Sequence, residues 1–205
     1  MVKIGVLISG GGTNLQAIID NIENGCINGK IQLIISNRKD AYGLERGKKA
    51  GIESLYVNPK NFTNTDEYNL RLIKEFKDRD VDLVVLAGYL KILSSEFIQE
   101  FRNRIINIHP SLIPSFCGDG YYGERVHKAV LDYGCMVTGA TVHFVDEGTD
   151  TGPIILQRCV EVEDDETVQS LQKKVLKVEH EILVNAVRLY CDNLISVEAK
   201  HVKIL

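Results

Sequence analysis

Asn107 and His109 stand two residues apart at the end of an apolar run, in the stretch INIHPSLIPSF (105–115). Strand alternation would point the amide and the imidazole to the same side, and Pro110 fixes the backbone directly after them. An amide N–H donor beside an imidazole suits a reaction in which a carbonyl oxygen gains negative charge while a proton moves. A solitary His at a strand end is more often a hydrogen-bonded structural residue, so the pair needs a partner. Asp150 is the candidate, in the polar turn DEGTDTGP (146–153), where Asp146 and Glu147 are further carboxylates and Gly148 and Gly152 loosen the backbone. Acidic residues in such turns are commonly just solvated. Asp150 takes part only if the turn folds back toward the end of the run at 104–108, which spacing alone does not establish.

A second group of residues fits an anion. Ser9 is followed by Gly10, Gly11 and Gly12, then by Thr13 and Asn14 at the start of the helical stretch LQAIIDNI. Glycines let a ligand approach the backbone, and a helix start offers unpaired N–H groups and the positive end of its dipole, a natural phosphate cradle. The dinucleotide pattern G-x-G-x-x-G needs glycine where the chain has Leu15, and the Gly-Lys-Ser/Thr of a P-loop is absent. The plainer alternative is a tight turn capped by Thr13 or Asn14 with no ligand. A third candidate loop is Gly88-Tyr89-Leu90-Lys91-Ile92-Leu93, which either lines a pocket for a flat ring or packs on the next helix.

The elements that must position these groups follow from hydrophobic period. Apolar, β-branched runs at 2–8, 31–36, 54–57, 81–87, 104–108, 140–145 and 153–162 predict strands, and helical periodicity predicts helices at 13–24, 43–50, 65–78, 95–102, 124–133 and 167–191. Such alternation is the signature of an α/β, Rossmann-like, mostly parallel sheet with helices on both faces. The last two strands, joined by a short turn, are expected to pair antiparallel. Ligands of such sheets bind beyond the carboxyl ends of the strands, where all three candidate groups lie.

Composition narrows the function. The 205 residues are 44% hydrophobic, ample for one core, and no linker or repeat divides them, so 1–205 is expected to be one domain. With 24 basic and 28 acidic residues, net charge −4, and no charged tail, nucleic acid is not an expected partner. Five scattered cysteines without a C-x-x-C pair indicate reduced thiols, and neither a signal segment nor a membrane-length apolar run is present. The expectation is a cytoplasmic protein with no membrane partner. His127, His143 and His180 lack metal-ligand spacing and are given structural roles, so no metal is expected.

Five segments in order, ISGGGTNLQAII, VVLAGYLKIL, INIHPSLIPSF, TGATVHFVDEGTDTGPII and VEHEIL, closely resemble the phosphoribosylglycinamide formyltransferase family of folate-dependent enzymes, from about residue 2 to residue 190. The resemblance implies a single formyltransferase domain that moves a formyl group from 10-formyltetrahydrofolate, as co-substrate, to the amine of glycinamide ribonucleotide in purine biosynthesis, as a monomer or weak homodimer. It implies that Asn107, His109 and Asp150 are catalytic. Gly11, Gly12, Thr13, Asn14, Gly88, Leu90 and Glu179 would bind the ribonucleotide, the glycine loop its phosphate and Glu179 its ribose. Tyr89, Lys91, Ile92, Leu93, Val145, Asp146 and Glu147 would frame the folate.

The chain departs from the family pattern after the His-Pro loop, where Phe116-Cys117-Gly118 precedes a longer DGYYGERVHKAV, and at Leu176, where a polar residue is frequent. Lys173 or Lys177 would then assist at the phosphate, or the backbone cradle would act alone. Alternatives are a sugar-amine formyltransferase, a formyltetrahydrofolate hydrolase, or a non-catalytic phosphate- or folate-binding protein. A methionyl-tRNA formyltransferase would be expected to carry a further basic domain.

Overall fold

The computed structural model describes residues 1–205. Seven strands form one sheet: β1 (Val2–Ile8), β2 (Gly29–Ser36), β3 (Ser54–Tyr56), β4 (Leu83–Leu86), β5 (Ile105–His109), β6 (Val137–Phe144) and β7 (Ile154–Glu161). Their spatial order is β3-β2-β1-β4-β5-β6-β7. The first five are parallel, whereas β6 pairs antiparallel with both β5 and β7. Strand order reverses between β1 and β4, and at such a switch point the loops at the strand ends part to leave a crevice.

The helices are α1 (Thr13–Glu23), α2 (Tyr42–Lys49), α3 (Thr65–Lys77), α4 (Ser95–Glu100), α5 (Glu124–Tyr133) and α6 (Val168–Cys191). They cover both faces because the central strands are apolar on both. In β1, Ile4, Val6 and Ile8 join one core cluster with α1 and α6, while Leu7 joins the other with α3 and α4. Such two-sided burial is why these strands read as continuous apolar runs. Gly5 is required here, since a Cβ would lie 2.5 Å from Cε1 of Phe76, whose ring packs against the strand where that carbon is missing.

α6 starts at a capping box, Thr167 with Ser170, and buries Leu171, Val175, Ile182, Leu183, Ala186 and Val187. Each fully buried aliphatic side chain contributes about 1.5–3 kcal/mol, so Leu171→Ala would cost roughly 2–5 kcal/mol. That packing is what holds Glu179, on the same helix, against α1.

Element boundaries differ from the sequence expectation by a few residues, most at β6, which begins at Val137. Two elements were unforeseen, a short 3-10 turn at Pro59–Asn61 and a C-terminal hairpin, β8 (Ile195–Glu198) with β9 (His201–Ile204). Its turn is Ala199-Lys200, with Ala199 at φ 54°, a left-handed position filled without the glycine or asparagine that would mark it. No helix is long and apolar enough to cross a membrane.

Candidate active site

The loops after β1, β4 and β5, the β6–β7 turn and α6 enclose one cavity of about 690 Å³. Its wall includes Asn107, His109 and Asp150, so the turn at 146–153 does fold back onto the end of β5. His109 Nδ1 lies 3.5 Å from Asp150 Oδ2, and Asn107 Nδ2 lies 3.5 Å from Asp150 Oδ1. Gly118 N–H donates to Asp150 Oδ2 at 3.0 Å. His109 Nε2 is 2.9 Å from the Phe116 carbonyl. A carbonyl oxygen only accepts, so Nε2 carries a proton and Nδ1 is the nitrogen turned to Asp150.

Two opposing effects act on His109, which is 4% exposed. Burial disfavours its charged form, the Asp150 carboxylate favours it, and burial prevails: the imidazole pKa falls below its ordinary 6.5. Asp150 shows the reverse balance. Burial opposes its charge, but His143, His109 and the Gly118 N–H together outweigh that and hold its carboxyl below the ordinary 3.8. Asp150 is therefore ionised at neutral pH, beside a neutral imidazole. Its backbone sits at φ 57°, a left-handed conformation that a non-glycine residue adopts at a cost of order 1–3 kcal/mol.

One sector of the cavity is polar: Thr13, Asn14, Gln172, Lys173 and Glu179, with Leu176 among them. Asn14 does not cap α1. The helix starts after Gly12 at φ 69° with no side-chain cap, and Asn14 Nδ2 donates instead to Glu179 Oε2 at 2.8 Å. Burial raises the Glu179 pKa, against the lowering effect of that hydrogen bond. Asn14 Oδ1 is buried without a partner. Gly11 and Gly12 are not part of the wall, and the Gly11 carbonyl accepts from Arg46 Nε at 2.8 Å. The first N–H groups of α1 have no partner within the helix, and Thr13 and Asn14 at that end belong to the wall. Lys173 belongs to the wall and Lys177 does not.

Another set of wall residues is largely apolar: Leu86, Gly88 to Leu93, Ile98 and Val145. Tyr89 is 8% exposed, with its hydroxyl 2.9 Å from that of Tyr68, whereas Leu90 and Ile92 are mostly exposed. The segment thus both lines the cavity and packs on α3. Asp146 and Glu147 stand on the wall but are already paired, Asp146 with Lys200 of the hairpin at 3.0 Å and Glu147 with Arg102. No group of three or more His, Cys, Asp or Glu is arranged to hold a metal ion.

Two histidines given structural roles from sequence belong to the cavity wall. His143 lies directly across from Asn107 in the β5–β6 register, so both face the same side. Its position in ATVHFV, at the same parity as a cavity-facing partner, was the available signal, but the register that uses it is tertiary. His127 comes from α5, and the extended loop Gly118–Gly123 joins it on the wall. His180 is not on the wall. Cys117 is near Asp150, but burial and that negative charge raise its pKa, the wrong direction for a nucleophilic thiolate.

Comparison with known proteins identifies the family. The formyl transferase family profile matches residues 2–187. The chain is 40% identical to the chloroplastic phosphoribosylglycinamide formyltransferase of Arabidopsis thaliana over 95% of its own length and 67% of that protein's. It is 43% identical, over 87% of its length, to 13% of the trifunctional purine biosynthetic protein adenosine-3 of Drosophila melanogaster, and so spans a small part of that larger relative. The crystal structure of glycinamide ribonucleotide transformylase 1 from Symbiobacterium toebii superposes with a TM-score of 0.95 at 43% identity, covering 100% of this chain and 94% of that one. By sequence, fold and cavity together, the chain belongs to the formyl transferase family, among its phosphoribosylglycinamide formyltransferases.

Proposed function

We propose that the protein transfers the formyl group of 10-formyltetrahydrofolate directly to the primary amine of glycinamide ribonucleotide, a step of purine biosynthesis. The observation that carries this reading is the meeting of Asn107, His109 and Asp150 on the wall of one cavity that also presents a polar set, with Asn14, Lys173 and Glu179, and an apolar set, with Leu93 and Val145. The polar sector suits a ribonucleotide: the N–H groups at the start of α1 and Lys173 take its phosphate, and Glu179 takes its ribose hydroxyls. The apolar sector suits the flat ring of the folate, with Leu93 and Val145 along it and Lys91 free for the anionic tail.

The amine attacks the formyl carbon, and the carbonyl oxygen gains the charge of a tetrahedral intermediate. An N–H of Asn107 stabilises that oxygen, a contribution of about 3–4 kcal/mol for a well-placed donor. In the free enzyme His109 is neutral, so its Nδ1 accepts the proton that the amine loses. The imidazolium so formed is stabilised by ionised Asp150 and adds its own N–H to the oxyanion. When the carbon–nitrogen bond to the folate breaks, that proton passes to the departing nitrogen. One proton leaves the amine and one reaches the folate, so the sum is balanced.

The test is to mix the protein with 10-formyltetrahydrofolate and a set of amines, following deformylated folate and formylated product. Turnover with glycinamide ribonucleotide and little with its dephosphorylated form is expected. Hydrolysis without an acceptor, or equal use of the two amines, would overturn the proposal.

A further inference from the structure

His143 is 2% exposed, in the middle of β6, and each of its ring nitrogens has a defined neighbour. Nδ1 lies 2.9 Å from the Phe144 carbonyl, and Nε2 lies 3.1 Å from Asn107 Nδ2 and 3.5 Å from Asp150 Oδ1. The carbonyl only accepts, so Nδ1 carries a proton. If Nε2 carried one too, it would aim a donor at the Asn107 amide nitrogen. Turning the amide over would relieve that contact but set its oxygen against the carboxylate oxygen of Asp150, two acceptors face to face. The arrangement that pairs most of these atoms has His143 protonated at Nδ1, its Nε2 lone pair accepting one N–H of Asn107 at 3.1 Å and the other N–H of Asn107 directed at Asp150; its one cost is that the same lone pair stands 3.5 Å from Asp150 Oδ1.

We infer that His143 is a positioning residue that fixes which way the Asn107 amide faces. Anchoring one N–H on His143 leaves the second, held by Asp150 only at 3.5 Å, free to move to the reacting oxygen. Without the anchor, the amide can present its oxygen to the developing oxyanion, and the stabilisation becomes repulsion. The chain of control runs from the Phe144 carbonyl through the imidazole tautomer to the amide. This inference rests on the formyl-transfer reading of Asn107.

Two substitutions divide the roles of the ring. In His143→Asn the side-chain amide sits where Nδ1 was, so it keeps the bond to the Phe144 carbonyl but offers nothing to Asn107. In His143→Gln the side-chain oxygen reaches the place of Nε2 and restores an acceptor. We expect His143→Asn to lower kcat by a factor approaching that of Asn107→Ala, on the order of 10², with both KM values within about threefold, and His143→Gln to recover most of the loss. Adding Asn107→Ala to His143→Asn should cost little more than Asn107→Ala alone. Long-range ¹⁵N–¹H NMR of the wild-type protein should show His143 protonated at Nδ1 and bare at Nε2. Wild-type kcat in His143→Asn, full additivity, or an Nε2–H tautomer would overturn the inference. A wild-type protein that moves no formyl group would instead overturn the functional reading, while the NMR result still judges the tautomer.

Discussion

Removing His127 should change the acid sensitivity of the fold by an amount the structure supplies. The residue is 1% exposed on α5, and its Nδ1 has no partner. Burial first, and then repulsion from His109, lower its pKa to about 4 from an ordinary 6.5. Between those values the unfolded chain binds a proton at this site that the folded chain refuses, so stability falls as pH drops below 6.5 and levels off below about 4. At 1.36 kcal/mol per pH unit, the penalty reaches about 2 kcal/mol at pH 5 and about 3 kcal/mol at pH 4. The perturbation is His127→Leu, which replaces an orphaned polar atom by an apolar side chain and is expected to cost nothing at pH 7. The assay is urea unfolding of both proteins from pH 7 to pH 4, read as the difference between them. His109 and His180, also lowered by burial, are common to both and cancel. The wild-type protein should lose about 3 kcal/mol more than the variant across the range. A difference independent of pH would show that His127 titrates as in the unfolded chain and refute the reasoning. Should the variant not fold, the imidazole resonance of His127 in the wild-type protein decides the matter, since titration near 6.5 has the same force.

Asp150→Asn should lower kcat by about 10²–10⁴ with substrate affinities nearly unchanged. Because the carboxylate is what opposes burial at His109, its loss moves the acid limb of any residual rate profile to lower pH, and a shift to higher pH would contradict the assignment. Glu179→Ala should raise the ribonucleotide KM on the order of tenfold or more, the value of a hydrogen bond to a charged group, and leave the folate KM alone. Gly12→Val is expected to destabilise the fold by at least 1–3 kcal/mol in urea titration, because φ is 69° and a Cβ would lie 2.7 Å from the Gly43 Cα. It should also raise KM for the ribonucleotide more than for the folate.

The local pattern of the chain was enough for the sheet and for the pair Asn107 and His109, but not for Asp150. β1, α5 and most of α6 lie where their apolar periods put them, because a strand buried on both faces and a helix buried along one stripe must repeat their hydrophobic residues at fixed intervals. Asn107 and His109 were legible for the same reason, being two residues apart on one strand. Asp150 could be named only as one of three acids in a turn, and the hairpin at 195–204 was hidden by an alanine in a left-handed turn.

What the sequence determined by itself was every property carried by near neighbours: periodicity, the glycine turn before α1, the residue types able to move a proton. What the tertiary structure alone decided was who meets whom and in which state of charge. The β5–β6 register set His143 opposite Asn107, and the β6–β7 turn carried Asp150 across 41 residues of chain to within 3.5 Å of His109. Burial then overrode the carboxylate and pushed the pKa of that imidazole below its ordinary value. The physical reason is the same in each case. Desolvation and hydrogen-bond partnership depend on every atom within a few ångströms, and those atoms come from segments far apart in the chain, whose spacing holds no record of the meeting.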